Sequence, residues 1–320
     1  MGNKLEFGLS NMKSISIDGK ERYFYCGGQT ISIHDVTTQK KLQKLSGLGN
    51  AMTCTSAEGS YLGCIHPLED GNTTEIRIYD INNNHQEMYR TYLNEHCVSK
   101  RPCFTLDGKQ LVFAGGSPSR KLFSISTKNG ELKCIYECYD NESIQSITVG
   151  NKGIVLVVHG EKAEVYLEYI SVINPVTKVR VELSFRFTAS TQLQKIYACW
   201  INDDRIMITY HLGRFKSGIT TVDISKLLSR SSYDVWTQEL FPFVILPNPK
   251  FSWNHQFVAF HTYCPSNQPF AIAVYRTDNW KQVFKHTGSR IQDSIFIESQ
   301  NSLLINSDDV FCIKCDDFSV

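Results

Sequence analysis

Apolar and polar positions along the chain alternate in short stretches that predict strands rather than helices. One kind of stretch has period two and ends on a polar residue. It is seen in Ile31-Ser-Ile-His-Asp35 and again at 76–80, 123–126, 170–174, 219–223, 272–276 and 311–314. A second kind is an almost continuous apolar run just upstream, at 23–26, 61–65, 111–114, 154–158, 206–210, 257–260 and 303–305. Such runs are expected of strands buried on both faces. Turn signals precede several of them. Asp18-Gly19 and Asp107-Gly108 are the plainest, because glycine supplies the positive φ of a tight hairpin.

The pattern recurs seven times, at steps of 38 to 53 residues between terminal positions, which brackets the period of about 40 to 50 residues of propeller blades. The predicted unit is a four-stranded antiparallel meander that gains stability by stacking on copies of itself. The seventh copy ends after its third strand, and the alternating segment 4–9 has no blade of its own. Pairing the two removes open sheet edges. The expected fold class is therefore all-β: a seven-bladed β-propeller of four-stranded antiparallel blades, closed by the N-terminal strand. It would form one domain, 1–320, with blades near 12–50, 51–99, 100–143, 144–193, 194–243, 244–290 and 291–320 plus 4–9.

Strand order and period over nearly the whole chain resemble the WD-repeat family. At the signature Trp-Asp position the sequence has His34-Asp35, Tyr79-Asp80 and Val222-Asp223. The fourth, sixth and seventh copies end instead on Asn174, Arg276 and Lys314, so the Asp-His-Ser/Thr-Trp network of typical blades does not carry over. The resemblance implies a scaffold or sensor domain that binds proteins, a kind of domain also found within longer chains.

Composition sets limits on function. The 320 residues carry 33 Lys and Arg against 32 Asp and Glu, a net charge of +1 that lacks the footprint of a dedicated nucleic-acid binder. The apolar runs fall far short of the roughly 20 residues of a membrane helix, so no membrane role is expected. Eleven cysteines, an odd number set mostly in apolar segments, read as buried reduced thiols and point to a cytoplasmic protein. No signal peptide is read in the opening residues, and Glu6 breaks the myristoylation pattern.

Strand direction places the turn between second and third strands at the same end as the link between blades. This face is predicted to carry long loops at 66–74, 115–120, 159–164, 211–218 and 261–269, the usual setting for binding. The expected partner-binding residues are Arg101, Arg120, Lys121, Arg214, Phe215, Lys216 and Tyr263, facing a protein or peptide, including an acidic or phosphorylated one. The alternative is an enzyme or a small-ligand or metal binder at a channel mouth ringed by His66, His159, His211 and His261, which are read as closing the second strands of four blades.

Catalytic signatures are weak. Gly115-Gly-Ser117-Pro-Ser119 lacks the last glycine of a nucleophile elbow, and Cys312 and Cys315 are predicted to point to opposite faces of a strand. The sequence contains no phosphate loop, dinucleotide fingerprint or zinc-protease motif. The prediction is a non-enzymatic scaffold with no catalytic residue, no metal and no cofactor.

Overall fold

A computed structural model describes residues 3–5, 14–18, 20–27, 30–38, 40–48, 51–95, 102–116, 119–140, 142–150, 153–162, 165–173, 180–184, 193–201, 205–212, 216–223, 239–241, 244–245, 249–252, 256–264, 268–288, 291, 293–306 and 310–318. After β1 (Asn3–Leu5), the first sheet is β2 (Ser14–Ile17), β3 (Tyr23–Gly27), β4 (Ile31–Asp35) and β5 (Lys41–Leu45). The second is β6 (Met52–Thr55), β7 (Tyr61–Pro67), β8 (Thr74–Asp80) and β9 (Gln86–Leu93), and the third is β10 (Cys103–Phe104), β11 (Gln110–Gly115), β12 (Lys121–Ser126) and β13 (Leu132–Glu137). The fourth is β14 (Glu142–Gly150), β15 (Gly153–Lys162), β16 (Val165–Ile173) and β17 (Arg180–Ser184). The fifth is β18 (Leu193–Trp200), β19 (Arg205–Leu212), β20 (Lys216–Asp223) and β21 (Glu239–Phe241).

In the sixth sheet, β22 (Val244–Ile245) and β23 (Lys250–Phe251) both pair with β24 (Phe257–Cys264), followed by β25 (Gln268–Arg276) and β26 (Gln282–Gly288). Pro249, which has no backbone donor to give a ladder, directly precedes β23. In the last sheet β27 (Asp293–Ile297), β28 (Ser302–Asn306) and β29 (Val310–Lys314) are joined by β1, with Lys4 opposite Phe311. The described part of the added strand is Asn3–Leu5; residues 6–9 of the expected segment lie outside the described residues.

Apolar residues of neighbouring sheets meet in buried clusters. Tyr25 and Ile33 of the first sheet pack with Leu62 and Cys64 of the second, Ile76 and Ile78 with Leu111 and Phe113, and Val112 and Leu122 with Ile144 and Ile154. Met207 and Ile219 meet Val258 and Phe260, while Ile272 and Val274 meet Leu303 and Ile305. Among the described residues these clusters cover five interfaces, not the seven that a closed ring of seven blades requires. Side chains on both strands of the fourth-to-fifth interface lie largely outside the described set.

Four of the first hairpins are closed by a polar residue five positions before the second strand. Asp18 accepts from the Tyr23 amide at 2.7 Å, Ser56 from Tyr61 at 2.9 Å, Thr105 from Gln110 at 3.0 Å and Ser252 from Phe257 at 2.9 Å. Gly59 and Gly108 sit in two of these turns at φ +69° and +65°, where a β-carbon would be strained. Asp35 and Asp80, at the signature positions, bond the amides of Thr38 and Asn82 and so close the hairpins into the outer strands.

Candidate interaction face and central channel

The innermost strands of all the sheets converge on one cavity of about 320 Å³, lined by residues of β2, β6, β10, β14, β18, β23 and β27. Its wall is mostly hydroxyls and thiols, including Thr53, Cys54, Cys103, Ser146, Cys199 and Thr209, with Lys250 the charged group. Burial pushes the Cys54 thiol well up, reinforced by Cys103 and Cys64, and pushes Cys199 up to about 12 despite Lys250. These thiols stay protonated at neutral pH and are poor nucleophiles. Thr209 is 1% exposed and its Oγ1 has no hydrogen-bond partner among the described residues. Among the described residues no three His, Cys, Asp or Glu side chains are grouped to hold a metal.

The second sheet holds a buried charge network at one end. Glu75 and Arg77 sit two apart on β8, hence on one face, and Arg77 donates from Nη2 to Glu75 Oε2 at 2.8 Å and to the Gly47 carbonyl at 3.1 Å. The second bond ties the strand to the link from the preceding sheet. Tyr92 donates to the other Glu75 oxygen at 3.0 Å, and His66 lies opposite with Nδ1 3.6 Å from Oε2. Burial alone would raise the Glu75 pKa, but the bonds from Arg77 and Tyr92 outweigh it and hold the carboxyl below its ordinary value.

No family model matches the sequence, and no curated protein matches it. Solved structures do. The β-propeller domain of Cps50 (Swd1) from Myceliophteria thermophila superposes with a TM-score of 0.69 at 13% identity, covering 98% of this chain and 99% of that one. The structure of U3-55K gives 0.67 at 11% identity, covering 98% of each chain. The fold is a β-propeller. At such identities the likeness extends to architecture alone.

On the propeller the expected site residues take varied places. Arg120 reaches Asp140 at 2.5 Å and Glu137 at 3.7 Å, and Lys121 reaches Glu95 at 2.5 Å. The Glu95 bond also holds the Lys121 ammonium above its ordinary pKa. These cations are already matched by carboxylates of the same chain. Arg101, Arg214 and Phe215 lie outside the described residues. Lys216 opens β20 opposite Leu212, and Tyr263 on β24 pairs with Val244.

The histidines separate where side chains are described. His66 faces Glu75, whereas His261 is buried with Nε2 3.2 Å from Ser294 Oγ in the last sheet. Neither lines the channel. His159 and His211 are placed by backbone alone, opposite Glu168 and Ser217. His159 and His261 also lie inside their strands rather than at the ends, because β15 and β24 run on to Lys162 and Cys264.

The same extension corrects the expected long loops. Lys162 pairs with Val165, Leu212 with Lys216 and Cys264 with Gln268, leaving connections of two or three residues. Ladders thus continue where loops were predicted at 159–164, 211–218 and 261–269. Cys315 also differs from expectation, lying in a short 3₁₀ turn after β29 rather than in a strand with Cys312.

Sequence reasoning missed Glu21 and Arg22. Arg22 donates to Asp18, to the Gly59 carbonyl at 2.7 Å and to Asn82, while Glu21 accepts the amides of Glu298 and Ser299. One turn of the first sheet therefore grips both the second sheet and the last. These long-range bonds leave no local signal in the sequence.

Proposed function

We propose that the chain is one seven-bladed, WD-repeat-like propeller domain spanning 1–320, closed by its N-terminal strand, and that it works as a non-enzymatic scaffold in the cytoplasm. It would bind a protein or peptide through the face bearing the second hairpins and the links between blades. The blade number is supported by the seven innermost strands around one channel. The pairing of β1 with β29 and the grip of Glu21 on the Glu298–Ser299 amides support closure.

The observation that carries the scaffold reading is the prearranged charge on that face. The pairs Arg120–Asp140 and Lys121–Glu95 alternate in sign, above hairpins braced by the buried Glu75–Arg77 pair. Such a surface suits a partner of mixed charge and fixes its register. An acidic or phosphorylated partner would have to displace Asp140 and Glu95. We place Arg101, Arg120, Lys121, Arg214, Phe215, Lys216 and Tyr263 on this face.

The test is capture of a partner from cell extract by the wild-type protein beside an Arg101→Glu, Arg120→Glu, Arg214→Glu variant of matched melting temperature. Loss of the same partner from the variant is expected; equal capture by both would refute this face. A second reading, a small anion in the channel, is favoured by the unpartnered Thr209 hydroxyl near Lys250. It requires phosphate or a carboxylate to raise the melting temperature of the wild type and not of Lys250→Met.

A further inference from the structure

We propose that a cleft between the sixth and last sheets, on the face opposite the expected partner-binding face, takes a lysine or arginine side chain from a basic peptide. The cleft is about 330 Å³ and lies between the first hairpin turns of the two sheets. Phe257, Phe296 and Ile297 give it apolar walls, Glu298 and Asp316 stand at its rim, and Ser302 lies at its floor. Three observations converge there.

The first is Ser302, 1% exposed, whose Oγ has no hydrogen-bond partner among the described residues. A buried hydroxyl left unsatisfied is costly, and a ligand N–H at the base of the cleft would satisfy it. The second is unneutralised charge. Among the described residues neither Glu298 nor Asp316 forms an ion pair, whereas Lys314 bonds the Gln300 carbonyl at 2.6 Å. Asp316 gives one oxygen to Asn301 Nδ2 at 2.8 Å, which fixes the carboxylate and leaves the other oxygen for a ligand. Burial together with the charge of Glu21, which lies outside the cleft on the Glu298 and Ser299 amides, raises the Glu298 pKa, and a bound cation would offset that repulsion.

The third is the pairing of apolar walls with an acidic rim. Lysine and arginine are the side chains that combine an aliphatic stem with a cationic head. The stem would lie along Phe257 and Ile297, and the head would reach Glu298, Asp316 and the Ser302 hydroxyl. A bare metal ion fits less well, because no three ligating groups are clustered there among the described residues and the walls are apolar.

This inference rests on the scaffold reading only in taking the ligand to be a polypeptide, since the surface is a different one. Fluorescein-labelled Gly-Ala-Arg-Ala-Gly and its citrulline counterpart, equal in shape but uncharged, are titrated against the full chain by fluorescence anisotropy. The variants are Glu298→Gln with Asp316→Asn, which keeps the acceptor for Asn301, then Ser302→Ala, and Arg120→Ala on the opposite face. The arginine peptide is expected to bind the wild type and Arg120→Ala alike. Citrulline or the double substitution should weaken binding about tenfold or more, with a smaller loss for Ser302→Ala.

Equal affinity for both peptides overturns the proposal, as does undiminished binding by the folded double variant, or no saturable binding at about 1 mM peptide. Partner capture by the double variant keeps the two readings apart. If capture persists while the arginine peptide fails, only the cleft is wrong; if the peptide binds while capture is insensitive to the arginine reversals, only the opposite face is wrong.

Discussion

Glu75 and Arg77 put a charged pair within the buried run of β8, with side chains 5% and 11% exposed. Breaking one partner of such a pair leaves the other charge buried. Arg77→Met is therefore expected to destabilise the fold by about 3 kcal/mol, and the double change Glu75→Gln with Arg77→Met by clearly less, read from urea unfolding midpoints. Because the Glu75 pKa lies below its ordinary 4.5, the ionised form is favoured in the folded state. Its contribution is full above that value and is withdrawn as pH falls through it towards the folded pKa. His85 gives a second, separable pH effect. Its Nε2 meets the Tyr25 hydroxyl at 3.0 Å, and burial lowers its pKa below 6.5. Below that pH the unfolded chain binds the proton more readily, so stability should fall as pH drops from about 6.5. At φ 57° asparagine is tolerated in its place, and His85→Asn should flatten the unfolding midpoint between pH 7 and 5.5.

At the scale of the element, the hairpin caps and the contacts between sheets are distinct supports. Ser56→Ala removes the acceptor of the Ser60 and Tyr61 amides and should cost about 1 kcal/mol in urea unfolding. Gly63 on β7 has no positive φ, yet a β-carbon there would stand 2.9 Å from both Leu111 δ-carbons and 3.2 Å from Phe104. Gly63→Ala should thus destabilise by about 1–3 kcal/mol through overpacking alone, and Leu111→Ala should recover part of that loss in the double variant. The second and third strands were legible because alternation and apolar runs are local. The ends of β15, β19 and β24 were not, since polar residues such as Glu161 and Lys162 continue a ladder once their partners are in register. The register shifts at Ile33/His34, Ile78/Tyr79 and Val274/Tyr275 were likewise hidden, because a bulge is defined by the partner strand. Of the candidate site, the charge of Arg120 and Lys121 was readable and their neutralisation by Asp140 and Glu95 was not: 20 and 26 residues separate the partners.

For the whole molecule, the joint between the first sheet and the last is the place where integrity is most exposed. Glu21→Ala removes the acceptor of two amides some 277 residues away in sequence and should lower the unfolding midpoint by about 1–2 kcal/mol. Removing residues 1–5 should go further. It leaves β29 as an open edge, so the expected result is a lower melting temperature with concentration-dependent association in light scattering; an unchanged monomer would argue against closure through β1. The same pairing has a consequence for biosynthesis. Asn3, Lys4 and Leu5 leave the ribosome well ahead of Val310 to Cys312, with the other six sheets made in between. At about 5–20 residues per second the opening strand waits roughly 15–60 s for its partner, with its backbone donors and acceptors unshielded. During that interval a nascent chain would depend on holding factors, and a translational stall before Val310 would leave a protein whose earlier sheets are made but whose final one cannot form.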